Sequence, residues 1–275
     1  MKALGVYGGK AIDKAVNFLN KEEDHSQEEL HQFRLALKRL KFIAQLLVML
    51  DLDNKHVQAI VGEIRPVFRS AGRIREFQLF QQMTGNLDSG EDTITIFLLD
   101  EMKNEVAWSE IVFQKNILST DQKLFKRFGV QLHKIDKHFP PEKLSRRIRK
   151  VVRKTMLKWP LSHDQLLEAD WHKLRREMKW VLAVYPLLRE KDQFSRPLHD
   201  ILKHTSELIG EWHDHFDCLS WCRESIPYKQ FDESAVSTWL GPLENAVSSR
   251  ATHFEKAYGV LTEQLEFNEF LTGNS

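Results

Sequence analysis

An all-α fold follows from three features of the sequence. Glycine and proline are sparse, 12 and 8 in 275 residues, so long intervals run without a breaker. Most of those intervals place apolar residues at i, i+3, i+4 and i+7, the period of a helix with one buried face. The one stretch with local strand character, Thr93–Leu99, has no evident partner strand and is read as helix. Roughly eight or more helices packed as bundles are expected.

Taken in order, the signals are these. Ser26 followed by Glu29 forms a capping box, which opens a helix running to about Leu50. Asp92 caps another, with Ile94, Phe97, Leu98, Val106, Trp108, Val112 and Phe113 on its apolar side. Pro66 falls within a helical pattern and predicts a kink. Pro140-Pro141, Pro160, Pro186 and Pro227 mark turns or helix starts.

The chain also repeats itself. His31-Gln-Phe-Arg34-Leu-Ala-Leu-Lys38 has a counterpart in His172-Lys-Leu-Arg175-Arg-Glu-Met-Lys179, each running on into an apolar segment that ends in Leu-Leu. Downstream, Ala71-Gly72-Arg-Ile-Arg75-Glu76 matches Ile209-Gly210-Glu-Trp-His213-Asp214. A base stands seven residues before each glycine, Arg65 or Lys203. Two ordered motifs at matched offsets divide the chain into halves of about 1–139 and 140–275, each expected to form one helical bundle.

Composition sets broad limits. A hydrophobic content of 42% with 29% charged residues fits a soluble globular protein with a large core. Forty Lys and Arg against 39 Asp and Glu leave a formal net charge of +1, which taken alone argues against a polyanion binder. The two cysteines, Cys218 and Cys222, are too close to staple distant segments, which excludes a disulfide scaffold and points to a reducing, cytoplasmic setting. The first residues hold no sustained apolar stretch before Lys10, so no signal peptide is expected. The longest apolar run, Phe42–Met49, is too short to span a bilayer, so no membrane partner is expected.

The placement of charge reverses what the sum suggests. From Lys143 to Lys158 there are eight bases and no acid, and from Ile64 to Arg75 four bases and no acid. Residues 88–110 hold seven acids and one lysine, and 224–275 eight acids and three bases. His31, Arg34, Lys38 and Lys41 fall at i, i+3, i+7 and i+10, one narrow face of a helix that is otherwise almost wholly apolar. A solvated face would mix glutamate with lysine, because like charges at i+4 repel. Unmixed cations on a helix suited to burial point to a cavity that expects an anion. Arg65, Arg69 and Arg73 form a second stripe; Arg146, Lys150 and Arg153 with Arg149 a third; His172, Arg175 and Lys179 a fourth. Base readout needs Asn, Gln or aromatic platforms, and none is interleaved, so sequence-specific nucleic acid is not the expected partner.

These motifs resemble the signature of the CHAD family, the conserved histidine α-helical domain, over essentially the whole chain. The resemblance rests on His-x-x-Arg-x-x-x-Lys-Arg-x-Lys at 31–41, its partial copy at 172–179, and the Gly-x-x-(Arg/His)-(Asp/Glu) segments at 72–76 and 210–214. It implies two four-helix bundles related by pseudo-twofold symmetry, with a basic cavity between them. It implies binding of inorganic polyphosphate, often at polyphosphate granules, rather than catalysis, with no cofactor. The binding set so implied comprises the four stripes together with Arg75, Lys203 and His213. Leu182 and Trp180 stand where the first copy has Lys41 and Arg39, Glu76 stands where Asp is usual, and Glu211 faces Arg73.

Alternatives come from other residues. His163-Asp164, His199-Asp200 and His213-Asp214 could ligate a metal in a phosphohydrolase, and a helical interaction scaffold is a further reading. His215, Cys218 and Cys222 lie at i, i+3 and i+7 and would hold zinc only with a fourth ligand from elsewhere; reduced core cysteines are the expected reading. Gly5-Val-Tyr-Gly8-Gly9-Lys10 is one residue short of a phosphate loop and lacks its hydroxyl, so it is set aside.

Overall fold

The local signals set most helix boundaries. A computed structural model describes residues 3–21, 25–52, 54–87, 92–160, 168–266 and 271. Among the described residues there are nine α-helices and no strand: α1 (Leu4–Leu19), α2 (Gln27–Met49), α3 (Asn54–Gly85), α4 (Thr93–Ser119), α5 (Gln122–His138), α6 (Pro141–Met156), α7 (Glu168–Val184), α8 (Arg196–Ser225) and α9 (Glu233–Glu266). Two 3₁₀ turns, Tyr185–Leu187 and Glu190–Asp192, join α7 to α8.

Capping explains where the helices start. The Ser26 hydroxyl accepts from Glu29 N at 3.2 Å while the Glu29 carboxylate accepts from Ser26 N at 2.8 Å, so α2 opens on a full capping box. Asp92 Oδ1 accepts from Ile94 N at 2.9 Å and starts α4, which takes up Thr93–Leu99 as helix. Pro141 occupies the first turn of α6, where its missing N–H costs nothing. The start of α1 is served from a distance: Asp136 of α5 accepts from Leu4 N at 3.0 Å and Gly5 N at 2.7 Å, placing a carboxylate on the positive end of the helix. The Gly5–Lys10 segment lies wholly inside α1, with Gly5 against His133 and Gly8 against Leu132.

α3 continues through Pro66 and α9 through Pro242. α3 lies along α4 and α8 along α9, while α1 packs on α2 and α5. α2 touches α3 on one side and α7 on the other, and α7 in turn touches α8. Two apolar clusters fill the interior, and both draw on residues before and after position 140. The larger includes Phe33, Leu37 and Leu40 of α2 with Trp180, Trp212 and Phe254; the smaller joins Phe77 and Leu98 to Cys218, Cys222 and Trp239. Each such fully buried side chain contributes about 1.5–3 kcal/mol relative to exposure.

One expectation within α4 is corrected. Ile94, Leu98 and Phe113 are buried, but Trp108 is 64% exposed. The buried seam runs through Ile94, Leu98, Met102, Ser109 and Phe113, so position 108 sits one residue, about 100°, off that seam and turns outward. No helix among the described residues is long and apolar enough to cross a membrane.

Candidate functional site

α2 and α7 meet through apolar contact, and that contact fixes what their basic faces can do. Trp180 is buried at the junction and donates through Nε1 to the Phe42 carbonyl at 3.3 Å. Tyr7 donates from α1 to the Ala183 carbonyl at 2.7 Å, tying the end of α7 to the first helix. The residue that interrupts the repeat at position 180 thus holds the two motif helices together.

Their cationic faces converge beside this junction. Lys38 feels Arg34 and Lys41 along its own helix and Arg175 across from α7, with Asp214 of α8 as the one opposing charge. Burial, reinforced by those cations, pushes its ammonium down to about 8. Lys179 is pushed down further, to about 7, by burial and then by Arg175 and Lys38, against Asp214. Arg34 and Arg175 are both drawn downward, chiefly by burial. Lys41 is lowered by burial and by Arg176, Arg69 and Arg65. Cations from α2, α3 and α7 therefore act on one another across a single seam.

Two glycines let the arginines lie this low. A Cβ at Gly72 of α3 would stand 3.0 Å from Arg34 Nη1, and one at Gly210 of α8 would stand 3.6 Å from Lys179 Nζ and 3.8 Å from Arg175 Nε. The motif Arg and its companion glycine are thus in contact in both copies, guanidinium against bare helix backbone. Arg34 Nη1 and Arg175 Nε are buried with no hydrogen-bond acceptor, an arrangement that costs free energy until an acceptor arrives. The Phe68 ring receives both Arg34, at 5.3 Å, and Lys41, at 5.2 Å, which steadies the cations without neutralising them.

The two copies differ in their acids. Arg175 Nη2 meets Asp214 at 3.4 Å, and His213 Nδ1 meets Asp217 at 2.8 Å. The His172 and His213 rings touch edge to face at 4.6 Å, and His172 is held below its ordinary value by burial and then by His213. On the first copy Glu76 acts on Arg34 only at a distance and makes its ion pair with Arg73 at 3.0 Å.

Several predicted residues lie elsewhere. Arg73 is committed to Glu76 and Glu105 and lies 4.2 Å from the Phe77 ring. His31, Arg65, Arg69 and Arg75 are exposed, although Arg65 and Arg69 act on Lys41 and Arg75 on Arg34. Lys203 is 63% exposed and faces Glu207 at 3.9 Å. On α6, Arg146 and Lys150 are exposed and line a shallow cleft with Lys143 and Arg147, while Arg149 and Arg153 are half-buried. Arg153 donates to the Leu271 carbonyl at 2.8 Å, and Arg147 to the Leu50 carbonyl at the end of α2. The charges that act on Lys38, Lys41 and Lys179 come from α2, α3, α7 and α8, not from α6.

Sequence reasoning missed Arg176, Phe68, and Asp214 and Asp217 as counter-ions. Arg176 stands at i+4 from His172, so helical spacing could have found it. The role of Phe68 needs the fold.

The metal readings find little to hold a cation. Among the described residues no group of three or more His, Cys, Asp or Glu is disposed around a metal position. Cys218 and Cys222 are both buried, and the contact with Cys218, then burial, raises the Cys222 thiol. His215 Nδ1 donates to the Glu211 carbonyl at 2.9 Å. His199 pairs with its neighbour Asp200 at 3.0 Å on the surface of α8, and His163-Asp164 lies outside the described residues.

The fold is found in known proteins. The family model of the CHAD domain matches residues 10–217. The fold is similar to the crystal structure of the CHAD domain from the plant Ricinus communis, with a TM-score of 0.66 at 16% identity over 94% of this chain and 90% of that one. It is also similar to PptA from Streptomyces chartreusis, with a TM-score of 0.65 at 12% identity over 94% of this chain and 99% of that one. No curated protein sequence matches the chain.

Proposed function

The chain belongs to the CHAD domain family, and from that premise we propose that it binds inorganic polyphosphate along the basic seam between α2, α3 and α7. The observation that carries this reading is the convergence of Arg34, Lys38, Lys41, Arg175 and Lys179 at one place, with two of the lysines pushed well below their ordinary range. A protein without an anionic ligand has no reason to press like charges together and strip them of water. Guanidinium groups hold phosphate oxygens through a fixed fork, and lysines add mobile point charges.

The role is binding rather than catalysis and needs no cofactor. The acids on the second copy keep Arg175 oriented and lower its net attraction, so the α2 and α3 wall supplies most of the grip. His172, held below its ordinary value by burial and then by His213, adds charge as the pH falls. A cytoplasmic setting, at polyphosphate granules, is part of the same reading.

Titration of the purified protein with long-chain polyphosphate at several salt concentrations tests it. Polyphosphate carries about one negative charge per phosphate, so log K should fall linearly with log salt as counterions are released. Single-stranded nucleic acid at equal phosphate charge should bind more weakly, because the Phe68 and Phe42 rings beside the seam are engaged by Arg34, Lys41 and Lys38. Absence of polyphosphate binding at low salt would overturn the reading.

A further inference from the structure

Lys179 combines two properties that do not usually meet in one side chain. Its Nζ lies against the bare backbone of Gly210, beside Arg175 Nε, and Lys38 faces it from α2. Three charged groups bear on it: Arg175 from α7, Lys38 from α2 and Asp214 from α8. Lys38 in turn is flanked by Arg34 and Lys41. An amine in this position has one guanidinium, Arg175, beside it and a second cation, Lys38, across from it. Arg175 and Arg34 both keep partial exposure, so an anion can reach their guanidinium groups. Both lysines keep partial exposure, so a small molecule can reach them.

We propose that Lys179 is an acylation site for acyl phosphates, the small mixed anhydrides of a carboxylic acid with phosphate. The inference rests on reading the seam as a phosphate-binding surface. The phosphate end of the reagent sits on Arg175 and Lys38, which holds the carbonyl carbon beside the Lys179 amine. The free amine attacks that carbon and a C–N bond forms. The C–O bond to phosphate then breaks, phosphate leaves with the electron pair, and the proton released from nitrogen passes to it or to water. Seating the leaving group on cations stabilises the charge that develops on it. Holding nucleophile and electrophile together supplies the orientation that a surface lysine lacks. Because burial, reinforced by Arg175 and Lys38, holds Lys179 down at about 7, more of its amine is unprotonated near neutral pH than in an ordinary lysine.

The product is a neutral amide in place of an ammonium. It removes one cation from the centre of the seam, so acylation weakens polyphosphate binding, and bound polyphosphate blocks acylation. The seam then reports both the supply of activated acyl groups and its own occupancy.

The test uses the full chain, acetyl phosphate and peptide mapping by mass spectrometry at pH 7.5. Lys179 is expected to be acetylated about tenfold faster or more than exposed Lys203 and Lys143. Excess polyphosphate should suppress the Lys179 signal and leave Lys203 unchanged. The rate at Lys179 should level off above about pH 7. Phenyl acetate, a neutral acyl donor, separates the two requirements: preference for Lys179 with the ester but not with acetyl phosphate overturns the proposal, since phosphate is then not held at the amine. Lys179→Arg should abolish the fast site, and a fast signal that persists elsewhere overturns the assignment to this residue. A polyphosphate titration run in parallel keeps the failures apart. Normal polyphosphate binding with Lys179 no faster than Lys203 overturns acylation alone; loss of both overturns the phosphate reading as well.

Discussion

Two basic regions of this molecule look alike in sequence and differ in physics. α6 has the denser charge, with seven bases against the single acid Glu142 in its first turn. Yet it is in the seam of α2 and α7 that burial pushes lysines down, Lys38 to about 8 and Lys179 to about 7. On α6 the buried positions Leu144, Ile148, Val152 and Met156 recur every four residues, which leaves most bases on the outer face with their charged heads in water. Those that turn inward are used structurally: Arg147 on the Leu50 carbonyl and Arg153 on the Leu271 carbonyl. In the seam, two helices distant in sequence press basic faces together over glycine backbone. Density of charge along a chain therefore says little about convergence; burial from two sides is what turns cations into a site.

The sharpest way to break this comparison is charge reversal. Lys38→Glu should lower polyphosphate affinity about 100-fold or more, because a carboxylate then stands among Arg34, Lys41 and Arg175 where phosphate should sit. The same change should raise the thermal unfolding midpoint of the anion-free protein, since it relieves repulsion among those cations. Lys150→Glu on α6 should cost less than about threefold, because an exposed charge is screened by salt. Isothermal titration and thermal melts on both variants measure this, and equal losses would make α6 part of the site.

A smaller effect, about tenfold, is expected from pH. Lys179 sits at about 7 and Lys38 at about 8 in the folded chain, against 10.5 for an ordinary lysine. Over the interval from about 7 to 10.5 the unfolded chain therefore holds more protons than the folded one, and anion-free stability rises with pH. Polyphosphate favours the charged amines, so its binding takes up protons and its affinity falls between pH 6.5 and 9. Arg175, Arg34, Lys41 and Asp214 face these amines, and the arginines stay charged throughout that range. His172, lowered by burial and His213, adds charge only below it. A Lys38→Arg, Lys179→Arg double variant should flatten the affinity profile, whereas Lys150→Arg should leave it unchanged.

How far the sequence reaches can be seen residue by residue. The capping box at Ser26 and Glu29 and the cap at Asp92 are local chemistry, so they give the starts of α2 and α4 directly. The His-x-x-Arg-x-x-x-Lys repeat singles out Arg34, Lys38, Arg175 and Lys179, because a basic face on an otherwise apolar helix is already in conflict with burial. What it cannot supply is the partner of each face. Phe68 becomes a platform for Arg34 and Lys41 only through the packing of α3 on α2. Asp214 becomes a counter-ion only once α8 lies against α7. Trp108 is misplaced for a related reason, as one residue separates it from the seam that α4 buries.

The smallest expected effect separates the two motif copies within the seam. Gly72 and Gly210 look equivalent in sequence, and both lie inside helices, where alanine is favoured over glycine by about 0.5–1 kcal/mol. At Gly210 a methyl group meets Lys179 Nζ and Arg175 Nε at ordinary contact distance, so Gly210→Ala should raise stability by about that amount and change polyphosphate affinity less than about twofold. At Gly72 the methyl would stand 3.0 Å from Arg34 Nη1, closer than a carbon and a nitrogen rest together. Arg34 must then lift off α3 by a few tenths of an ångström, which shifts its guanidinium within the seam. Gly72→Ala should therefore gain less stability and lose about threefold to fivefold in affinity. If the two alanine variants behave alike, guanidinium contact with the helix backbone is not what positions the anion site, and the motif glycines answer to helix packing alone.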